Sequence, residues 1–418
     1  MHIEIDKQRL KQEIDTLAAF SDAVPPAVTR VVFSEQDLRA RTWLKQRYVA
    51  SSLSVREDAV GNTFIRWEGS HPDLPAVATG SHIDAIPHSG KFDGVVGVLG
   101  GLEAVRALQR SGFRPVRSIE LVQFTAEEPT RFGIGCIGSR LMSGVLPASV
   151  DQTLQDSSAE TLEVVRTRAG FGGDLASVRL PEGYYSAFLE LHIEQGPVLE
   201  REHVTIGIVT DIAAPASFLV TLEGQGGHAG GTLMPGRRDA LCAASELILA
   251  IEGLACSSGA VDTVATVGTC EVHPSAINSI PSRVKLGVDL RDTDGERRNR
   301  VLDAIKNAAE QISQTRQIQI QMEMLNADPP ASSSPRVLRA ITSACSEMEV
   351  ASRQIVSRAY HDSLFMSRIA PTSMIFIPCR SGVSHRPDEY ADIDDIAVGV
   401  EVLARSLAEL SCDLTWTN

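Results

Sequence analysis

At 418 residues with 43% hydrophobic side chains, the chain is longer than one hydrophobic core commonly serves, so two globular domains are expected. Its formal charge of −14, with both signs interspersed and no Lys/Arg-rich tract, argues against a nucleic-acid partner or an anionic membrane surface. The seven cysteines are irregularly spaced without a C-x-x-C pair and there is neither a secretory leader pattern nor an apolar run of about 18 residues, so a reducing, cytoplasmic compartment is expected rather than export or membrane insertion.

Residues 7–20 and 36–53 place apolar side chains at helical spacing, and 55–67 reads as two short strands turned at Val60-Gly61-Asn62. A repeating pattern follows: strand over 75–79, helix over 94–108, strand over 119–124, helix over 135–143, strand over 186–193. This alternation predicts an α/β domain, a mixed sheet with helices on both faces. From 217 to 325 the order becomes strand (217–223), helix (239–254), two strands (263–272 and 283–290), helix (296–315) and strand (317–324), a ferredoxin-like βαββαβ unit. Its flanks, Ala213-Ala214-Pro215-Ala216 and the Pro- and Ser-rich stretch 328–335, read as insertion boundaries. The expectation is therefore an inserted α+β domain over 215–328 within a discontinuous catalytic domain, 1–214 and 329–418. Helices over 336–348 and 393–410 and a strand over 373–378 complete the latter.

Reactive groups in such sheets gather beyond the carboxyl ends of strands. Gly80-Ser81-His82-Ile83-Asp84 follows the first strand, and Gly90-Lys91-Phe92-Asp93-Gly94 opens the next helix. Singly, a helix-capping Asp and a hydrogen-bonded surface His would account for them. Phe124-Thr125-Ala126-Glu127-Glu128-Pro129 then puts two adjacent carboxylates at a strand end, where extended neighbours point opposite ways: one can hold a metal while the other acts as general base. His192 ends a further strand, and Gly382-Val383-Ser384-His385-Arg386-Pro387 supplies a late loop histidine. Imidazoles and carboxylates without thiolate suit zinc, manganese, cobalt or nickel, and a carboxylate can bridge two ions.

These motifs resemble the dinuclear metallohydrolases related to aminoacylases and carboxypeptidases, in the branch of allantoate, ureidoglycolate and N-carbamoyl-L-amino-acid amidohydrolases, over about residues 82–390. The resemblance implies two divalent ions per subunit, manganese foremost, held by His82, Asp93, Glu128, His192 and His385 with Asp93 bridging. It makes Glu127 the general base and Asp84 the carboxylate that orients His82. By the same resemblance, His228 in the glycine-framed loop Gly224-Gln225-Gly226-Gly227-His228-Ala229-Gly230 assists the oxyanion in a neighbouring subunit's site. Asn278 and Arg291 bind the substrate carboxylate, for which the guanidinium fork is suited, although an ion pair between Arg291 and Asp289 or Asp292 is an ordinary alternative. Gln195, Tyr360 and His361 complete the expected pocket. If His228, Asn278 and Arg291 serve a partner, the inserted domain is a lid and the enzyme a homodimer.

Within this branch, the bulky Tyr360 ahead of His361-Asp362, where related enzymes carry a small residue, suggests a small pocket for a short hydroxy acid. The expected reaction is hydrolysis of (S)-ureidoglycolate to glyoxylate, ammonia and carbon dioxide in purine (allantoin) degradation. Allantoate and N-carbamoyl amino acids are the near alternatives, and a peptidase or deacylase on the same scaffold the more distant one.

Overall fold

Four strands, Ile119–Phe124, Ala76–His82, Tyr185–Ile193 and Thr372–Ile377, are buried along their whole length, which is how strands read when a parallel sheet is covered on both faces. In the computed structural model, which describes residues 1–414, they lie side by side in that order, all parallel. Thr63–Trp67 and Ser54–Glu57 extend the sheet antiparallel on one side. Ile206–Ile212 extends it antiparallel on the other, with Ser352–Ser357 and the short Ala331–Ser332 paired to it, making nine strands. The fold is thus mixed α/β.

The helix Val95–Arg110 packs on this sheet through glycine. A Cβ on Gly97 would stand 2.6 Å from the Leu191 carbonyl oxygen, so only glycine permits so close an approach. Leu99, Leu102 and Leu108 of that helix join Val77, Leu189, Leu191 and residues of Ile393–Cys412 in one core. A second cluster, built on Phe64, Phe124, Phe188 and Met142, contains the opposite-facing Val122 and Phe188 of the same strands.

The chain forms two compact units. The first comprises Met1–Thr210, Ser332–Ile355 and the chain from His361 onward; the second is Asp211–Ala331 with Val356–Tyr360. In the second, Val264–His273, Arg283–Asp292, Ala214–Glu223 and Gln319–Ala327 form an antiparallel sheet in that order, with helices Ala240–Cys256 and Gly295–Arg316. Along Ala214–Glu223 and Arg283–Asp292 the inward residues Phe218, Val220, Leu222, Val284, Leu286 and Leu290 alternate with more exposed ones and meet Leu247, Ile251 and Ile305 of the helices. Elements too short to show a period went unread in the sequence: the paired strands Val28–Arg30 and Ala85–Ser89, and the helices Val150–Thr153, Leu162–Arg168, Val198–Glu202 and Asp362–Met366.

Candidate metal centre

The parallel register sets His82 level with Phe124, three residues before Glu127, and pairs Phe376 with His192. Each histidine is therefore the last or next-to-last residue of its strand, at one sheet edge. His82 is fixed by Nδ1, which donates to the Asp84 backbone carbonyl at 3.0 Å; His192 Nδ1 donates to its neighbour Ile193 O at 2.9 Å. A carbonyl only accepts, so both rings carry a proton on Nδ1 and turn Nε2 inward, the nitrogen that a ligating ring presents. Those Nε2 atoms lie 3.7 and 3.1 Å from Asp93 Oδ1. The other oxygen of Asp93 lies 3.1 Å from His385 Nε2, which is also 3.4 Å from Glu128 Oε1.

Two ligand triads result, His82/Asp93/His192 and Asp93/Glu128/His385, sharing Asp93. All of these side chains but His385 are buried. Gly94, at φ +65°, lets the chain turn from Asp93 into its helix, and a Cβ there would stand 2.5 Å from the His82 ring.

The charges show what the cluster requires. Burial pushes Glu127 well above the usual carboxylate range, with the Glu128 charge adding, and raises Glu128 to about 8, with Asp93 adding. Asp93 moves the other way: burial opposes its charge, but hydrogen bonds from His192 and His385 outweigh it. Burial lowers His82 to about 4, favouring the neutral ring that ligates. So many carboxylates buried together call for cations, and with oxygen and imidazole donors the set fits two divalent ions.

Asp84 meets His82 with its backbone carbonyl, not with the carboxylate expected to orient the ring. Its carboxylate is 3.7 Å from His82 Nδ1 and instead accepts the amides of Glu127 at 3.3 Å and Glu128 at 3.0 Å. One residue thus ties the histidine strand to the two-glutamate turn. Gln195, at φ +53°, donates Nε2 to Asp93 Oδ2 at 2.8 Å, while its buried Oε1 has no partner among the described residues. His361 is buried with its ring centroid 4.5 Å from that of His192.

The remaining predicted residues belong to the second unit. His228 is exposed, with Nδ1 accepting from the amides of Gly230 at 3.2 Å and Gly231 at 3.0 Å, which leaves the proton on Nε2. Ala229 N donates to Asn278 O at 2.9 Å, so the loops of His228 and Asn278 are joined. Arg291 makes the ion pair named as its alternative, Nε to Asp289 Oδ1 at 2.7 Å and Nη2 to Oδ2 at 3.3 Å, and its guanidinium stands 5.7 Å from the Tyr360 ring centre. Tyr360 thus falls in the second unit while His361 is in the first.

Three contributors escaped the sequence reading. Glu389 accepts the amides of Phe92 and Asp93 at 2.8 and 3.1 Å, and Ser384 Oγ donates to Asp93 Oδ2 at 2.9 Å. Cys136 Sγ lies 3.4 Å from Glu127 Oε1. Only Ser384 had a signal, its place beside His385.

Residues 78–409 match Peptidase family M20/M25/M40. A ureidoglycolate hydrolase of Arabidopsis thaliana is 51% identical, over 98% of this chain and 88% of that one. An allantoate amidohydrolase of Bacillus subtilis is 33% identical over 97% of this chain and 98% of that one. Among solved structures, that of AtUAH in complex with glyoxylate superposes with a TM-score of 0.90 at 51% identity, covering 98% of this chain and 99% of that one. AtUAH with (S)-hydroxyglycine gives the same values. A hydantoinase/carbamoylase family amidase of Burkholderia multivorans gives 0.89 at 34% identity, over 98% of this chain and 99% of that one. With that match spanning the two triads that share Asp93, the chain belongs to Peptidase family M20/M25/M40.

Proposed function

We propose that this protein is an amidohydrolase that cleaves the ureido group of (S)-ureidoglycolate, yielding glyoxylate, ammonia and carbon dioxide in purine degradation. The observation that carries the reading is the shared-Asp93 pair of triads with Glu127 beside it, in a chain 51% identical along its length to a ureidoglycolate hydrolase. His82, Asp93 and His192 would hold one ion, and Asp93, Glu128 and His385 the other, with manganese the proposed metal and zinc, cobalt or nickel able to use the same donors. When bound, such ions supply Lewis acidity, making water more acidic and a carbonyl more electrophilic.

Glu127 takes the proton of the attacking water at the oxygen nearer His82 and returns it to the departing nitrogen. The new C–O bond forms at the ureido carbonyl and a C–N bond breaks. Carbamoyl loss as carbon dioxide and ammonia leaves hydroxyglycine, which releases a second ammonia to give glyoxylate, so one water is consumed overall. AtUAH complexes with those two small acids support this order of products.

His228 offers its Nε2–H to the developing oxyanion. Asn278 and Arg291 bind the substrate carboxylate, and Gln195, Tyr360 and His361 line the pocket. These assignments make the second unit a lid and a homodimerisation domain, which the exposed Leu233, Met234 and Ile277 beside the His228 and Asn278 loops support. A cytoplasmic location fits the seven free cysteines, and no helix among the described residues is long and apolar enough to cross a membrane. The test is turnover by manganese-loaded protein of (S)-ureidoglycolate, allantoate, an N-carbamoyl amino acid and a dipeptide. The highest kcat/KM is expected on ureidoglycolate; a dipeptide turned over fastest would overturn the reading.

A further inference from the structure

Glu127 reaches the site through backbone that L residues seldom adopt: Ala126, just before it, sits at φ +56°. A clasp of three consecutive amides holds this turn. Cys136 N donates to Glu127 O at 2.8 Å, Ile137 N to Ala126 O at 2.9 Å, and Gly138 N to Thr125 O at 2.9 Å. Cys136 is itself left-handed, at φ 56° and ψ 35°, and that conformation both starts the helix Ile137–Ser143 and aims its side chain back at the glutamate.

The two carboxylate oxygens of Glu127 are thereby made different. Oε1 lies 3.4 Å from the Cys136 Sγ, within reach of a thiol donor, whereas Oε2 lies 3.6 Å from His82 Nε2 on the side of the ligand triads. Cys136 has no solvent exposure, so its thiol has no bulk water to donate to. Burial and the Glu127 charge hold the thiol well above its ordinary range, and it keeps the proton that it donates.

We infer that Cys136 is a positioning residue for this hydrolase, gripping Glu127 by both its main-chain carbonyl and its Oε1 so that Oε2 is the oxygen presented to the reacting water. The inference rests on Glu127 acting as the base proposed above. A carboxylate with a free χ3 would spend part of its time turned away from the water, and a single fixed oxygen removes that loss.

The experiment compares Cys136→Ala and Cys136→Ser by kinetics, metal analysis and infrared spectroscopy. Cys136→Ala is expected to lower kcat about fivefold to tenfold, the size of one hydrogen bond, with KM and metal content unchanged. Cys136→Ser, whose hydroxyl can donate to the same oxygen, is expected to stay within about threefold of the parent. A wild-type kcat in Cys136→Ala, or equal losses in both variants, would overturn the inference. Where the Ala variant does not fold, the nearly isosteric Ser variant decides: loss of most of its kcat with metal retained overturns it.

The S–H stretching band of Cys136, isolated as the difference between parent and Cys136→Ser, should move to higher frequency in a Glu127→Ala background. An unmoved band also counts against the inference. This band is read without substrate, so failure of the inference is distinguishable from a wrong substrate assignment.

Discussion

Asp93 gives one oxygen to His82 and His192 and the other to His385, so an asparagine in its place, with a single acceptor oxygen, could not serve both triads at once. Glu127 differs from it in having no ligand partner to complete: its neighbours are the Cys136 thiol and one edge of His82. Glu127→Gln should therefore retain metal and lose roughly a hundredfold or more in kcat, checked by metal analysis alongside steady-state rates. Rates like the parent's would remove Glu127 from proton transfer. At Arg291 the Asp289 ion pair competes with the proposed carboxylate role, and a lysine keeps the pair while losing the fork. Arg291→Lys should raise KM for ureidoglycolate with little change in thermal stability, and an unchanged KM would leave Arg291 to the ion pair alone. Signals at this scale were legible where a reactive residue ended an apolar run, as at His82, Glu127-Glu128 and His192. Glu389 and Cys136 were not, because their contacts join residues 297 and nine positions apart through loops without a period.

The helix Ile137–Ser143 shows how an element places a side chain. It begins two residues later than its apolar spacing predicts, because Cys136 is left-handed and turns the chain back toward Glu127. The helix then passes so near Thr125 that a Cβ on Gly138 would stand 2.1 Å from Asn62 Oδ1 and 2.9 Å from Thr125 N. Gly138→Ala is accordingly expected to destabilise the protein by about 1–3 kcal/mol through overpacking against backbone, and to lower kcat by shifting the Thr125–Glu127 turn. Chemical denaturation and initial rates check this, and an unaffected variant would mean that the clasp is looser than its distances indicate.

For the molecule as a whole, the metal-free protein must carry its buried acid cluster unaided. Burial raises Asp84 and Glu389 to about 7 and Glu128 to about 8. Burial opposes the charge of His192, but Asp93 raises it to about 9, and His385, hydrogen-bonded to Asp93, also rises to about 9. In every case the folded pKa lies above the unfolded one, so the native state binds more protons and the stability these groups confer is lost as pH rises through those values. The thermal midpoint of chelator-treated protein should thus fall between about pH 7 and about pH 9, and saturating manganese should flatten the slope. A metal-free midpoint that rises over that window would contradict the account.

By itself the sequence determined the alternation of strands and helices, the βαββαβ order of 217–325 and the identity of the residues that end the central strands, because period and strand-end chemistry are local properties. Only the tertiary structure decided which oxygen of Asp93 faces which histidine, that Asp84 meets His82 with its carbonyl, and that Cys136 holds Glu127. Those outcomes depend on ångström distances between segments remote in the chain, which strand register and left-handed turns set and which no window of sequence contains.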